Sequence, residues 1–164
     1  MHALNVDQKL LDTAKAFAIA EREMDVSAEQ LFAVLEDGSS WTKVSGAIRD
    51  VTWTSPKPFA VGTTRTVTFA GGIRIDEVFW TWERNRRMGF SVTAASTDKL
   101  RGLCEVYEIT PLSPDRCRMR WVLAASLTGW LGRIEPVIAR IFEISQRQML
   151  GKLERVTREF PRPA

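Results

Sequence analysis

A chain of 164 residues, 45% of them hydrophobic, has the length of a single domain and can bury roughly 70% of its unfolded surface without a staple. Its two cysteines, Cys104 and Cys117, are too few for a secreted disulfide framework and too separated for a zinc or redox motif, so a reducing, cytoplasmic setting is expected. A net charge of +3 with acids and bases interleaved gives no indication of nucleic acid, and no run approaches the ~20 apolar residues of a membrane span or the layout of an export signal, which argues against stable membrane insertion. Arginine outnumbers lysine 17 to 6, a bias that suits carboxylate or phosphate contacts and equally suits the coding bias of a source genome.

Met1 to Lys15 carries Leu4, Leu10 and Leu11 without a clear cap and reads as a short helix or a mobile arm. His2, the sole histidine, has no Asp, Glu or Cys cluster beside it and is not expected to catalyse or to bind metal. Phe17 to Val26 alternates as a first strand. Ser27-Ala-Glu-Gln30 then forms a capping box, in which Ser27 accepts from the Gln30 backbone and Gln30 reaches back. A helix from Ala28 to about Glu36 follows, ended by Gly38. Ser39-Ser40-Trp41 reads as a turn that delivers a large aromatic, either to a pocket mouth or to the end of a core.

From Ile48 the pattern changes to strands: Ile48 to Trp53, Thr63 to Phe69, Ile73 to Glu83, Met88 to Ala94, Leu103 to Thr110 and Cys117 to Ala125. Their β-branched and aromatic content, and the breaks at Pro56, Pro58, Gly62, Gly71-Gly72, Asn85, Pro111 and Pro114, support these spans. With the first strand they make seven, and the short connections imply an antiparallel meander. Gly71-Gly72 is a strong hairpin signal because both residues can take positive φ.

Strand faces follow from alternation. Cys117, Met119, Trp121 and Leu123 oppose Arg116, Arg118 and Arg120, so the first set belongs to the core and the arginines to a solvated outer face. Leu103, Tyr107 and Ile109 form the matching set in the preceding strand and bring Glu105 inward with them. Placing both sets on one face requires an odd loop or a bulge near Pro111-Leu-Ser-Pro-Asp115, and that register sets Glu108 opposite Arg118. In Ile73 to Glu83, Phe79 lies on one face and Trp80 and Trp82 on the other, and alternation alone does not say which is inside.

The last run, Trp130 to Phe160, holds a helical period for many turns. Ile134, Ile138, Ile141, Ser145, Met149, Leu153, Val156 and Phe160 recur at steps of three or four on one stripe. A helix of that length reaches on the order of 45 Å, so it must cross something wide, and a sheet is the candidate. Pro136 offers a second starting point or a kink. A strongly curved sheet and a straight rod do not touch everywhere, which leaves the middle either open or filled by large side chains.

Several stretches in this order carry a resemblance: Val61-Gly-Thr-Thr-Arg65, Gly71-Gly72, Glu77, Trp82-Glu-Arg-Asn-Arg-Arg-Met88, the Tyr107-Glu-Ile-Thr-Pro111 strand end and the terminal helix. Together they resemble the polyketide cyclase/dehydrase-like proteins of the START-like (SRPBCC) superfamily. The resemblance implies an α+β helix-grip fold over residues 1–164. In that fold a curved antiparallel sheet of about seven strands wraps a long C-terminal helix, with one or two short helices after the first strand. It implies a mostly apolar tunnel between sheet and helix, binding of lipids, polyketides or quinone-like molecules, and catalysis in only some members.

On this fold the residues expected to meet a ligand are Trp41, Arg65, Glu77, Phe79, Phe90, Glu105, Tyr107, Trp121, Ile138 and Phe142. Glu77 and Arg65 occupy the family's acidic and basic positions. They form a structural ion pair, point outward, or orient the polar head of an apolar ligand. For catalysis the candidates are Glu105 or Glu77 as a desolvated proton carrier, with Tyr107 and Arg65 as oxyanion partners. No serine–histidine or cysteine–histidine pair, phosphate loop, dinucleotide fingerprint or metal-ligand cluster is present in the sequence, so no cofactor or metal is expected. Three functions remain: a carrier or sensor of one small hydrophobic molecule, a cofactor-independent cyclase or dehydratase, and a protein-interaction module using the tunnel end near Trp41.

Overall fold

The computed structural model describes residues 1–4, 9–14 and 16–161. In chain order the elements are β1 (His2–Ala3), α1 (Leu10–Thr13), β2 (Ala16–Met24), α2 (Ala28–Glu36), α3 (Gly38–Val44), β3 (Ile48–Trp53), β4 (Thr64–Phe69), β5 (Arg74–Glu83), β6 (Arg87–Ala95), β7 (Leu100–Ser113), β8 (Arg116–Leu127) and α4 (Glu135–Glu159). Strands β3 to β8 form an antiparallel meander, and β2 closes onto β8 to give the order β2-β8-β7-β6-β5-β4-β3. Seven strands were expected on this path. Among the described residues β1 adds an eighth, pairing with Ala94 and Ala95 at the end of β6. The expected arm over Met1 to Lys15 therefore contains a strand and the one-turn α1, while residues 5–8 and 15 lie outside the described residues.

Helix α2 starts where the capping box places it: the Gln30 N–H donates to Ser27 Oγ at 3.1 Å, and the Ser27 N–H donates to Gln30 Oε1 at 3.4 Å. It ends on Asp37, not Gly38, because Asp37 also caps the next helix, accepting from the Ser39 N–H and the Ser40 hydroxyl. Trp41 is consequently a residue of α3, not of a turn. The Gly71-Gly72 hairpin is present, with φ of 84° and 80°.

Two register details depart from simple alternation. Between Phe79 and Thr81 the β5–β6 pairing shifts by one residue, so Trp82 joins Phe79 on the inner face (ring centroids 4.9 Å apart) while Trp80 turns outward to donate to Ser91 Oγ. The irregularity between Pro111 and Ser113 does bring the Glu105 and Trp121 sets onto one face, as expected, but in a register that sets Glu108 opposite Arg120, not Arg118. Arg120 donates to Glu108 at 2.6 Å, and Arg116 and Arg118 reach Glu23 on β2 instead. These irregularities also bend the strands and curve the sheet.

The long helix begins at Glu135, after a 3-10 turn over Leu131–Arg133, with Pro136 in its first turn where the missing N–H has no intrahelical role. Its 25 residues span about 37 Å. Its buried face is rotated from the predicted stripe but keeps that stripe's Leu153 buried and its Met149, Val156 and Phe160 packed against the core. Ile134 and Ile141 are exposed, as are Val137 and Ile144, whereas Glu135, Gln146, Leu150, Leu153, Glu154 and Thr157 are buried. The reason is polar anchoring. Glu135 Oε1 accepts from the Leu127 N–H at 2.8 Å, and Glu154 accepts from Arg22 Nε at 2.8 Å and the Asp25 N–H at 3.3 Å. These bonds to β8 and β2 at the two ends of α4 fix its rotation, a constraint apolar periodicity does not record.

Candidate functional site

Between α4 and the concave face of the sheet lies a cavity of about 260 Å³. Each wall follows from strand parity. On β4, Arg65, Val67 and Phe69 alternate inward; on β5, Ile75 and Glu77; on β7, Leu103, Glu105 and Tyr107; on β8, Trp121 and Leu123. Phe90 of β6, Val51 and Ile48 of β3, Trp41 of α3, and Ser45 and Ala47 after it complete the sheet side. The helix contributes Phe142, Ser145 and Met149, spaced by three and four so that they share one face. Ser145 is small and Ile141, the preceding residue of the predicted stripe, is exposed, so the middle of the sandwich stays open.

The charged groups gather on the sheet wall. Arg65 Nε donates to Glu77 Oε2 at 2.5 Å across the β4–β5 pair, and the two side chains are only 4% and 3% exposed. The Arg65 guanidinium carbon also lies 4.8 Å from the Phe90 ring centre, 5.1 Å from Phe79, 5.3 Å from Trp53 and 5.6 Å from Trp41. Burial works against the arginine's charge, but attraction from Glu77, with smaller contributions from Tyr107 and Glu105, raises its pKa above the ordinary value. Burial likewise raises Glu77, and the Arg65 charge pulls against that rise. A guanidinium held between a carboxylate and aromatic faces stays protonated, and the contact is a closed ion pair.

Glu105 is set beside that pair. Its Oε2 accepts from the Tyr107 hydroxyl at 2.9 Å and from Trp121 Nε1 at 2.8 Å. Desolvation, then repulsion from Glu77, raises its pKa from 4.5 to about 7, against the lowering effect of its two hydrogen bonds and of Arg65. Burial and the Glu105 charge hold Tyr107 well above its ordinary value, so the phenol stays protonated and donates. Tyr107 is itself clamped by rings, stacked on Trp41 at 5.7 Å and edge-on to Trp121 at 5.2 Å.

Of the ten residues expected to meet a ligand, Trp41, Arg65, Glu77, Phe90, Glu105, Tyr107, Trp121 and Phe142 line the cavity. Phe79 and Ile138 do not. Phe79 is fully buried behind Arg65 against Trp53, Trp82 and Phe90, and the rotation of α4 carries half-buried Ile138 away from the lining. Val67, Ile75, Leu103 and Leu123 also line it, each two residues along its strand from one of the expected residues Arg65, Glu77, Glu105 and Trp121. Ser145 and Met149 were legible as positions three and seven beyond Phe142. Ser45 and Ala47 sit in a connection with no periodic signal. Both cysteines are buried and neither is in a disulfide, and His2 is exposed on β1. Among the described residues no group of His, Cys, Asp or Glu is placed to hold a metal, and no helix is long and apolar enough to cross a membrane.

Residues 19–158 match the sequence profile of the family described as polyketide cyclase / dehydrase and lipid transport. The chain belongs to this family. An uncharacterized protein of Mycobacterium tuberculosis is 37% identical over 135 residues, covering 82% of this chain and 80% of the relative. Among solved structures, a START superfamily protein from Mycobacterium smegmatis superposes with a TM-score of 0.71 at 13% identity, over 85% of this chain and 98% of that one. A protein from Thermus thermophilus gives 0.72 at 13% identity, over 87% and 97%. At such identities the likeness is one of fold, the helix-grip architecture traced above for this chain. A hydrophobic cavity between sheet and helix is typical of that fold, and here it is the one lined from Trp41 to Met149.

Proposed function

We propose that the protein holds one small hydrophobic molecule in the cavity between sheet and α4, as a carrier or sensor that does not transform it. The observation that supports this best is the lining itself: about 260 Å³ bounded mostly by aliphatic and aromatic side chains from strands β3 to β8, α3 and α4, with its charged groups confined to the sheet wall. Apolar cavities of about 150 Å³ accept benzene, so this volume suits a molecule of roughly two fused rings, or a folded chain of similar bulk. Few polar groups that fix orientation within an apolar enclosure are the usual makeup of a ligand pocket. The cytoplasmic setting proposed for it agrees with two buried cysteines that form no disulfide. Native mass spectrometry of gently purified protein tests the reading. The expected result is a retained apolar molecule that is absent from a Ser145→Phe variant, in which the new ring fills the space. A ligand-free wild type that also binds no apolar probe would overturn it.

A second reading is favoured by Glu105 alone. A carboxyl brought to about 7 and bonded to a phenol is suited to move a proton to or from a polyketide-type substrate. Glu77 is the weaker candidate, because its carboxylate is committed to Arg65. This reading requires Glu105→Gln to abolish turnover while binding persists; turnover that survives the change removes it. The interaction-module reading loses the anchor it named, since Trp41 is buried with its indole N–H donating to the Leu35 carbonyl at 3.2 Å.

A further inference from the structure

The cavity's charges say which hydrophobic molecules it excludes. Arg65, Glu77 and Glu105 are the charged residues of its lining, and they come from β4, β5 and β7. An arginine in an apolar pocket would ordinarily be read as a seat for a ligand carboxylate or phosphate. Here the charge is already countered: Nε donates to Glu77 Oε2, and the planar faces of the guanidinium are enclosed by rings. With that pair neutral, the polar wall carries either no net charge or the single negative charge of Glu105. It is never positive. An anionic head group brought there loses its hydration and meets no free cation, and when Glu105 is ionised it meets a like charge.

A hydroxyl or carbonyl has a different reception. Glu105 Oε2 is occupied by Tyr107 and Trp121, while Oε1 makes no hydrogen bond to the described residues and belongs to a side chain that lines the cavity. As a carboxylate Oε1 accepts from a ligand hydroxyl, and as a carboxylic acid the same group donates to a ligand carbonyl. We infer that the ligand of this cavity is uncharged, an apolar skeleton bearing one hydroxyl, phenol or ketone that bonds to Glu105, and that fatty acids and other anionic amphiphiles of the same bulk are rejected. This inference rests on the binding reading above and narrows its ligand class.

Matched probes on one skeleton test it: 2-naphthol against 2-naphthoate, titrated near pH 7 by quenching of intrinsic tryptophan fluorescence, with Trp41 and Trp121 in the lining. The naphthol is expected to bind at least about tenfold tighter than the naphthoate. Glu77→Gln, which frees the Arg65 guanidinium, is expected to raise naphthoate affinity by at least about tenfold while changing naphthol affinity little; circular dichroism checks that the variant is folded. Glu105→Gln removes the remaining negative charge without changing shape and is expected to narrow the gap between the two probes. Naphthoate binding as well as or better than naphthol to the wild type would overturn the charge argument and leave the hydrophobic cavity standing as a binding site. If neither probe binds, the binding reading and the inference fall together.

Discussion

Glu105→Gln isolates the energetic consequence of setting a carboxyl in this cavity. Folding raises the group from 4.5 to about 7, so between those values the folded protein keeps a proton that the unfolded chain releases. Stability therefore declines as pH rises through this window, and the loss is complete above it. At about 1.4 kcal/mol for each pH unit the whole decline is about 3 kcal/mol. Glutamine has the same shape, its oxygen can accept from Tyr107 and Trp121 as Oε2 does now, and it does not titrate. The stability of the variant relative to wild type should therefore increase by about 3 kcal/mol between about pH 4.5 and pH 8, corresponding to roughly 6–12 °C in relative melting temperature for a domain of this size. Urea denaturation and calorimetry of both proteins across that range measure the difference directly, and contributions from other titrating groups cancel in it. Wild-type and variant curves that run parallel would show that Glu105 titrates as it does in water, and the account of a desolvated polar wall would be wrong.

Arg65→Met leaves Glu77 buried without its partner and should cost about 3–5 kcal/mol in urea denaturation; Arg65→Met with Glu77→Leu should recover most of that loss. A double variant no more stable than the single one would refute the closed-pair description. Gly38→Ala would place a methyl 2.5 Å from the Val51 carbonyl oxygen, where the backbones of α3 and β3 approach, and should destabilise by about 1–3 kcal/mol; a neutral melting temperature would show that the approach relaxes freely. Ser27→Ala removes the acceptor for the Gln30 N–H and should cost about 1 kcal/mol by the same assay.

Much of this architecture was written locally in the chain. The box at Ser27 and Gln30 fixes where α2 begins because its two hydrogen bonds span only one turn. Strand parity placed Glu105 and Trp121 inside because side chains on a pleated strand alternate strictly. The errors share a cause that is not local. Trp82 changes face because the pairing of β5 with β6 slips by a residue, and no property of the Phe79-Trp-Thr-Trp82 segment announces that slip. The rotation of α4 is decided by Glu135 bonding to Leu127 and Glu154 to Arg22, polar contacts that override the apolar stripe. In the site, the sequence leaves Arg65 and Glu77 as an ion pair, as outward-facing residues or as a ligand clamp. The register of β4 on β5 sets them directly opposite, and the clamp becomes a pair whose charge is spent.

The central claim is that a small apolar molecule enters the space between sheet and α4, and methyl NMR with 2-naphthol tests it most directly. Shifts are expected at Ile48, Val51, Val67, Ile75, Leu103 and Leu123, which line the cavity, and not at Val106 or Val122, which are buried elsewhere. An unchanged spectrum, or shifts confined to methyls outside the lining, would contradict the account.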